Sequence, residues 1–260
     1  LADLTRARMD GLAATMDARM AGGFVRWCHG DLHLRNVCLV DGRPTIFDAL
    51  EFNESLAITD TMYDLAYVLM DLLHRDLRGQ ACLLLNRYLE RFADDEGLAL
   101  LSFFMSVRAA VRAKVSLSMA AVQTEPSAAA TCRTEAKDYL QRAIAFLAPV
   151  TPRIVAIGGL SGSGKSTVAR ALAPFLTPAP GAVVLRSDVI RKTLLGIGDL
   201  APLGPDGYAP AVSQQVYDTL IARSRSIAAS GFSVIADATF TKSEGRAALA
   251  SAAAALGVKF

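Results

Sequence analysis

Apolar residues fall into two regimes along the chain. Over residues 1–148 they recur mainly at helical spacing. One stretch carries Leu1, Leu4, Met9, Leu12, Met16 and Met20, another carries Leu65, Leu69, Leu72 and Leu73 within 60–92, and a third carries Leu100, Leu101, Phe104, Val107, Val111 and Val115 within 96–121. This spacing, with a further helix over 132–148, predicts helices whose apolar stripes face a core. Short apolar runs interrupt them at 24–28, 37–40 and 44–47. The last two are joined by Asp41-Gly42-Arg43, and the Asp-Gly pair is a strong hairpin signal. From residue 154 onward short runs and helical stretches alternate. Strands are predicted at 154–157, 182–185 and 232–236, helices at 168–176, from Ser187, at 212–230 and at 247–256, and the start of a fourth strand at 257–260. That alternation predicts an α/β domain built on a parallel sheet.

Punctuation divides the two regimes. Residues 123–130, QTEPSAAA, read as a polar break, and Pro149-Val150-Thr151-Pro152 reads as a stiff linker, because two prolines remove donors and resist continuing a helix. The expected domains are therefore 1–150 and 151–260. A chain of 260 residues has room for both cores, and 52% hydrophobic with 20% charged residues reads as globular. The net charge of +2 gives no reason to expect nucleic acid. Residues 1–150 hold 16 Lys/Arg against 19 Asp/Glu, and residues 151–260 hold 11 against 6. A basic second half suits phosphate-bearing ligands, although solvated lysines and arginines give the same count. Cys28, Cys38, Cys82 and Cys132 form no C-x-x-C pair, which predicts a reduced, cytoplasmic protein. The greasiest segment, 98–115, is interrupted by Arg108, Arg112 and Lys114, so no membrane span is expected. The opening at Leu1 and the strand-like ending at Phe260 predict a fragment of something longer.

The strongest chemical signal follows the strand at 154–157. In GGLSGSGKST the residues Gly159, Leu160, Ser161, Gly162, Ser163, Gly164, Lys165, Ser166 and Thr167 fit the phosphate-binding pattern G-x-x-x-x-G-K-[ST], with a strand before it and a helix after. Glycines let successive N–H groups turn inward around an anion, and the helix points its positive end at the same spot. Lys165 would reach the β- and γ-phosphates of ATP, and the Ser166 hydroxyl would ligate Mg²⁺.

A second constellation lies in the first half. A hairpin over 37–47 returns Asp48 close to Asn36, so Asp31, Asn36 and Asp48 of HGDLHLRN and FD should converge. One carboxylate could accept a hydroxyl proton while a carboxylate and an amide hold Mg²⁺. His29 and His33 flank Asp31 at an interval that zinc sites use, but the glycine between them and the hairpin beyond favour a loop in which His29 is structural. His74 reads as surface, Glu51 as adjacent to the site or solvated, and Arg108, Arg112 and Lys114 as an exposed helix face. These motifs resemble the aminoglycoside phosphotransferase group of the protein-kinase-like fold. The resemblance implies a mainly α-helical large lobe, with Asp31 as catalytic base, Asn36 and Asp48 as metal ligands, and Asp64 bracing the catalytic loop. The small lobe that carries the nucleotide-covering strands would precede Leu1.

In the second half, Asp188 and Arg191 of RSDVIRK stand one turn apart at the carboxyl end of a strand, with Ser187 as a helix cap. There a carboxylate could take a proton from a substrate hydroxyl and a guanidinium could steady the phosphoryl group, and a capped helix with a surface ion pair has the same spacing. The Gly/Pro-rich stretch 193–211 predicts a loop near substrate. Asp237, ending the strand at 232–236, is placed to hold magnesium. GLSGSGKST, RSDVIRK and IADATF together resemble the small P-loop kinases related to polynucleotide kinase and gluconate kinase, with the final part of that domain missing. By that likeness Arg246 matches a basic position near substrate in some relatives. The order of the halves resembles bifunctional aminoglycoside phosphotransferase/ATP-binding proteins. The expected function is ATP-dependent transfer of a phosphoryl group to a small-molecule hydroxyl, with ATP and Mg²⁺ as cofactors. A regulatory ATP-binding module whose first half recognises a partner, and aminoglycoside resistance through the first half, are the other readings.

Overall fold

A computed structural model describes residues 1–198 and 201–260. Residues 199 and 200, inside the expected loop over 193–211, lie outside the described residues. The chain forms two compact units, one of Leu1–Ala81 with Ala99–Pro149 and one of Cys82–Leu98 with Val150–Phe260. The expected domains differ from these units by Cys82–Leu98 and Val150, which group with the second.

In the first unit, α1 (Ala2–Ala21) leads to β1 (Val25–Trp27). A 3₁₀ turn, Leu34–Asn36, opens the hairpin of β2 (Val37–Val40) and β3 (Arg43–Ile46), which pair antiparallel with Val37 opposite Ile46. A short helix, α2 (Glu54–Ala57), precedes β4 (Ile58–Asp60), and β4 pairs antiparallel with β1, Val25 opposite Asp60. Where one long helix was expected over 60–92 there are two, α3 (Thr61–His74) and α4 (Arg78–Phe92), because Asp76 turns left-handed at φ 58. Next come α5 (Leu98–Val122) and α6 (Pro126–Phe146). The polar break at 123–130 is therefore shorter than expected, since Pro126 opens a helix at its first position, where no N–H is needed.

Met62, Leu69 and Met70 of α3, Leu101 and Met105 of α5, and Tyr139 and Ala143 of α6 are buried. Not every apolar stripe is core, since Leu4, Met9 and Met20 of α1 and Val111 and Val115 of α5 are exposed. The residue that α1 does bury is Arg19. Its guanidinium grips Asp60 through two hydrogen bonds, at 2.7 and 2.8 Å, and lies over the Phe24 ring. His74 is not ordinary surface. It stacks on Tyr139 with 3.9 Å between ring centroids, and its Nδ1 lies 2.9 Å from Asp138.

The second unit holds a parallel sheet of β5 (Ile154–Ile157), β6 (Val183–Arg186) and β7 (Val234–Asp237) in the order β5-β7-β6. The last strand in sequence is thus the central one. Ile157 and Arg186 stand in register on either side of Asp237. The helices are α7 (Lys165–Leu172), α8 (Ser187–Leu194), α9 (Pro210–Ala229) and α10 (Ser243–Ala255), with a 3₁₀ turn at Pro205–Tyr208 before α9. Ser187 is the first residue of α8, and Arg186 occupies the cap position without a side-chain cap bond. The expected fourth strand is present as a single parallel bridge, Arg153 with Lys259. Cys82 packs with Ala169, Ala173, Ala182, Val184 and Ile235 in one apolar cluster, which ties the start of this segment of α4 to the sheet.

Candidate functional site

The phosphate loop is placed by strand order. It leaves β5 beside β7, and the Gly159 N–H bonds the Thr239 carbonyl at 3.2 Å while the Ala238 N–H bonds Ile157 at 3.3 Å. Gly162 and Gly164 adopt positive φ, 77° and 86°, and among the described residues nothing beyond their chain neighbours lies within 4 Å of where a Cβ would project. Side chains would be strained there, whereas glycine leaves the loop amides open to an anion. Gly164 caps α7, so Lys165 and Ser166 occupy its first turn. Lys165 Nζ donates to the Leu160 carbonyl of its own loop. Ser166 Oγ donates to Asp237 Oδ2 at 2.5 Å. The buried Asp237 carboxylate and the hydroxyl thus converge from the central strand and the helix start. Two hard oxygen donors beside glycine-held amides fit Mg²⁺ with a polyphosphate.

The other residues expected around this site are dispersed. Asp188 is exposed on the first turn of α8, 4.0 Å from Lys192. Arg191, expected on the same working face, is buried. Its Nη1 donates to the Gly207 carbonyl at 2.7 Å and to Ser213 Oγ at 3.2 Å, and its guanidinium lies over Tyr208. Burial and these acceptors make it the anchor of the 3₁₀ turn before α9. Arg246 donates to the Phe240 carbonyl at 2.6 Å, holding the turn after β7. The Tyr217 hydroxyl accepts the Phe240 N–H at 3.1 Å on the same turn, a contact that no local pattern announced.

In the first unit the hairpin closes as expected. The Phe47 N–H bonds the Asn36 carbonyl at 3.1 Å, which sets Asp48 beside the turn, exposed and at φ 62. Asn36 Nδ2 donates to the Asp31 carbonyl at 3.0 Å and to its Oδ2 at 3.2 Å, so base candidate and amide touch. Asp64 takes the His29 and Gly30 N–H groups at 3.1 and 3.0 Å, so it does brace this loop. His29 Nε2 lies 2.8 Å from the Phe47 carbonyl, a contact that ties the loop to the hairpin's end. Glu51 is exposed.

His33 Nδ1 accepts the Arg35 N–H at 3.2 Å, which leaves the ring proton on Nε2, 3.4 Å from Asp31 Oδ2. Burial lowers the His33 pKa, against the opposing pull of Asp31, so the neutral ring is favoured. Tyr67, edge-on to His33, is pushed up to about 12 by burial, and the nearby Cys28 thiol to about 11, also chiefly by burial.

Two supports of this loop were not anticipated. Asp71 accepts the Leu34 N–H at 2.9 Å. Arg108, expected on an exposed face, is buried. It donates to the Gly30 carbonyl at 3.0 Å, sits 3.9 Å from Asp64 and lies over the Tyr63 ring. A signal for Asp71 existed. Asp64 and Asp71 stand two turns apart on an otherwise apolar helix, so one face carries both carboxylates.

The architecture and loops describe a mainly helical unit followed by an α/β domain with a P-loop. Comparison with known proteins agrees. Residues 1–101 match the family described as phosphotransferase enzyme family, and residues 154–260 match the AAA domain family. The two matches follow one another along the chain, a phosphotransferase family first and a P-loop kinase-like one second. It is also similar to uncharacterized proteins of Mycobacterium bovis and Mycobacterium tuberculosis, 32% identical over 247 residues, which is 92% of this chain and 48% of each relative. The chain thus spans about half the length of the curated relatives it matches. No solved structure matches it.

Proposed function

We propose that the chain is part of a two-domain, ATP-dependent phosphotransferase whose P-loop half moves the γ-phosphoryl of ATP to a hydroxyl of a small molecule. The observation that carries this reading is the Ser166–Asp237 contact beside Lys165, at the carboxyl end of the sheet. The loop amides and Lys165 would hold the nucleotide, and Ser166 and Asp237 would hold Mg²⁺, which neutralises charge on the phosphates. Asp188, exposed at the start of α8, would accept the proton of the acceptor hydroxyl. Arg191 would support transfer by bracing the turn over 205–208.

The first half carries a parallel set, with Asp31 as base and Asn36 and Asp48 as metal-holding groups. Asn36 already orients Asp31 through a hydrogen bond. Among the described residues no helix is long and apolar enough to cross a membrane. A cytoplasmic setting is part of this reading, on the ground that the four scattered cysteines contain no C-x-x-C pair. The test is to incubate the full-length protein with Mg·ATP and a library of hydroxyl-bearing metabolites, and to follow added phosphate by mass. One acceptor class should gain a phosphate and stimulate ADP release. ATP turnover that responds to a protein partner alone, with no phosphorylated metabolite, would replace this reading with a regulatory one.

A further inference from the structure

The arginine that sequence spacing brings to the phosphate site is Arg191, yet its Nη1 is committed to Gly207 and Ser213. A different arginine stands at the strand end. Arg186 closes β6 directly opposite Asp237, and its Nε lies 4.0 Å from Asp237 Oδ2, the same oxygen that accepts the Ser166 hydroxyl. That distance permits Coulomb attraction but is too long for a hydrogen bond. The Arg186 Nε is buried and has no hydrogen-bond partner among the described residues. A buried guanidinium donor without an acceptor is uncommon, because such a group loses water and gains nothing in return. Its planar fork suits the oxygens of a phosphate.

Strand order says which phosphate. The phosphate loop leaves β5 at one edge of the sheet, Asp237 ends the central strand, and Arg186 ends the strand on the other side. Loop amides hold the inner phosphates, so a cation across the metal-holding carboxylate from that loop faces the far end of the chain. Resting on the nucleotide reading above, we propose that Arg186 is the residue that meets the terminal phosphate of the bound triphosphate.

The test is calorimetric titration of the full-length protein with Mg²⁺ and either a non-hydrolysable ATP analogue or ADP. Arg186→Met should weaken the triphosphate analogue about tenfold or more, the scale of a charge-assisted contact, and leave ADP within about twofold. Arg186→Lys, which keeps the charge, should retain most of the preference for triphosphate. Equal losses for both nucleotides would mean that Arg186 only supports Asp237 and the sheet, and unchanged affinities for both would remove it from the site. If the unaltered protein binds neither nucleotide, the nucleotide reading fails and this proposal with it. Binding by the unaltered protein with no change of ratio in Arg186→Met sinks the Arg186 assignment alone.

Discussion

Asn86 treats Val184 as a neighbouring strand would. Its Oδ1 accepts the Val184 N–H at 2.7 Å, and its Nδ2 donates to the Ala182 carbonyl at 3.1 Å. β6 lies at an edge of the sheet, where unpaired backbone groups need cover. One amide on α4 supplies it. A second tie lies further along the same segment, where Arg223 of α9 grips Asp95 through hydrogen bonds at 2.6 and 2.7 Å.

Replacing Asn86 by leucine should therefore destabilise the second unit by about 1–3 kcal/mol, because a strand donor and a strand acceptor lose their partner. Urea denaturation of the full-length protein measures this. A fragment beginning at residue 151 lacks Cys82–Leu98 altogether and should unfold at lower urea than the same unit in the intact chain.

Lys165→Ala deletes the charge that would meet the β- and γ-oxygens. Mg·ATP affinity should fall by about 1.5–3 kcal/mol, roughly ten- to a hundredfold. Calorimetry reads it directly, and an unchanged affinity refutes the assignment of this loop.

Asp188→Asn should keep ATP binding and lower phosphoryl transfer by about a hundred- to ten-thousandfold, the usual scale for a general base, since an amide cannot accept the proton. Single-turnover kinetics with the acceptor found in the metabolite screen provides the measurement. A full transfer rate would remove Asp188 from that role.

Asp64→Ala strips two N–H groups of the loop at 29–30 of their acceptor and leaves Arg108 buried without its carboxylate. A loss of about 3 kcal/mol is expected for the first unit, since removing one partner exposes the desolvation cost of the other. Asp64→Asn should recover part of it, as its carbonyl can still accept one bond. Equal stability of Asp64→Ala and the unaltered protein by thermal or urea unfolding would contradict this account.

His33 gives a pH signature. Its folded pKa is lowered, so the unfolded chain takes up the proton first as pH falls. The stability it contributes is present above about 6.5, the free imidazole value, and is lost as pH falls from there through the lowered folded value. Thermal unfolding between pH 8 and 5 should show a larger loss for the unaltered protein than for His33→Asn, which cannot titrate. Parallel curves would assign the acid sensitivity elsewhere.

The phosphate loop was legible because the pattern is local: consecutive amides, a lysine and a serine at one helix start would do the binding, and their spacing is written in ten residues. The same holds for the hairpin that carries Asn36 to Phe47, where a two-residue turn sets the register. What sequence could not supply are contacts between residues far apart in the chain. Asn86 and Val184 are separated by 98 positions, and Arg108 and Gly30 by 78. Helical periodicity reports which side of a helix is apolar. It does not report which partner arrives there, so Arg108 and His74 read as surface, while the exposed valines of α5 read as core. Nor does it order a parallel sheet: the insertion of β7 between β5 and β6, which sets Asp237 between the phosphate loop and Arg186, depends on how the crossover helices pack, and only the folded chain decides that.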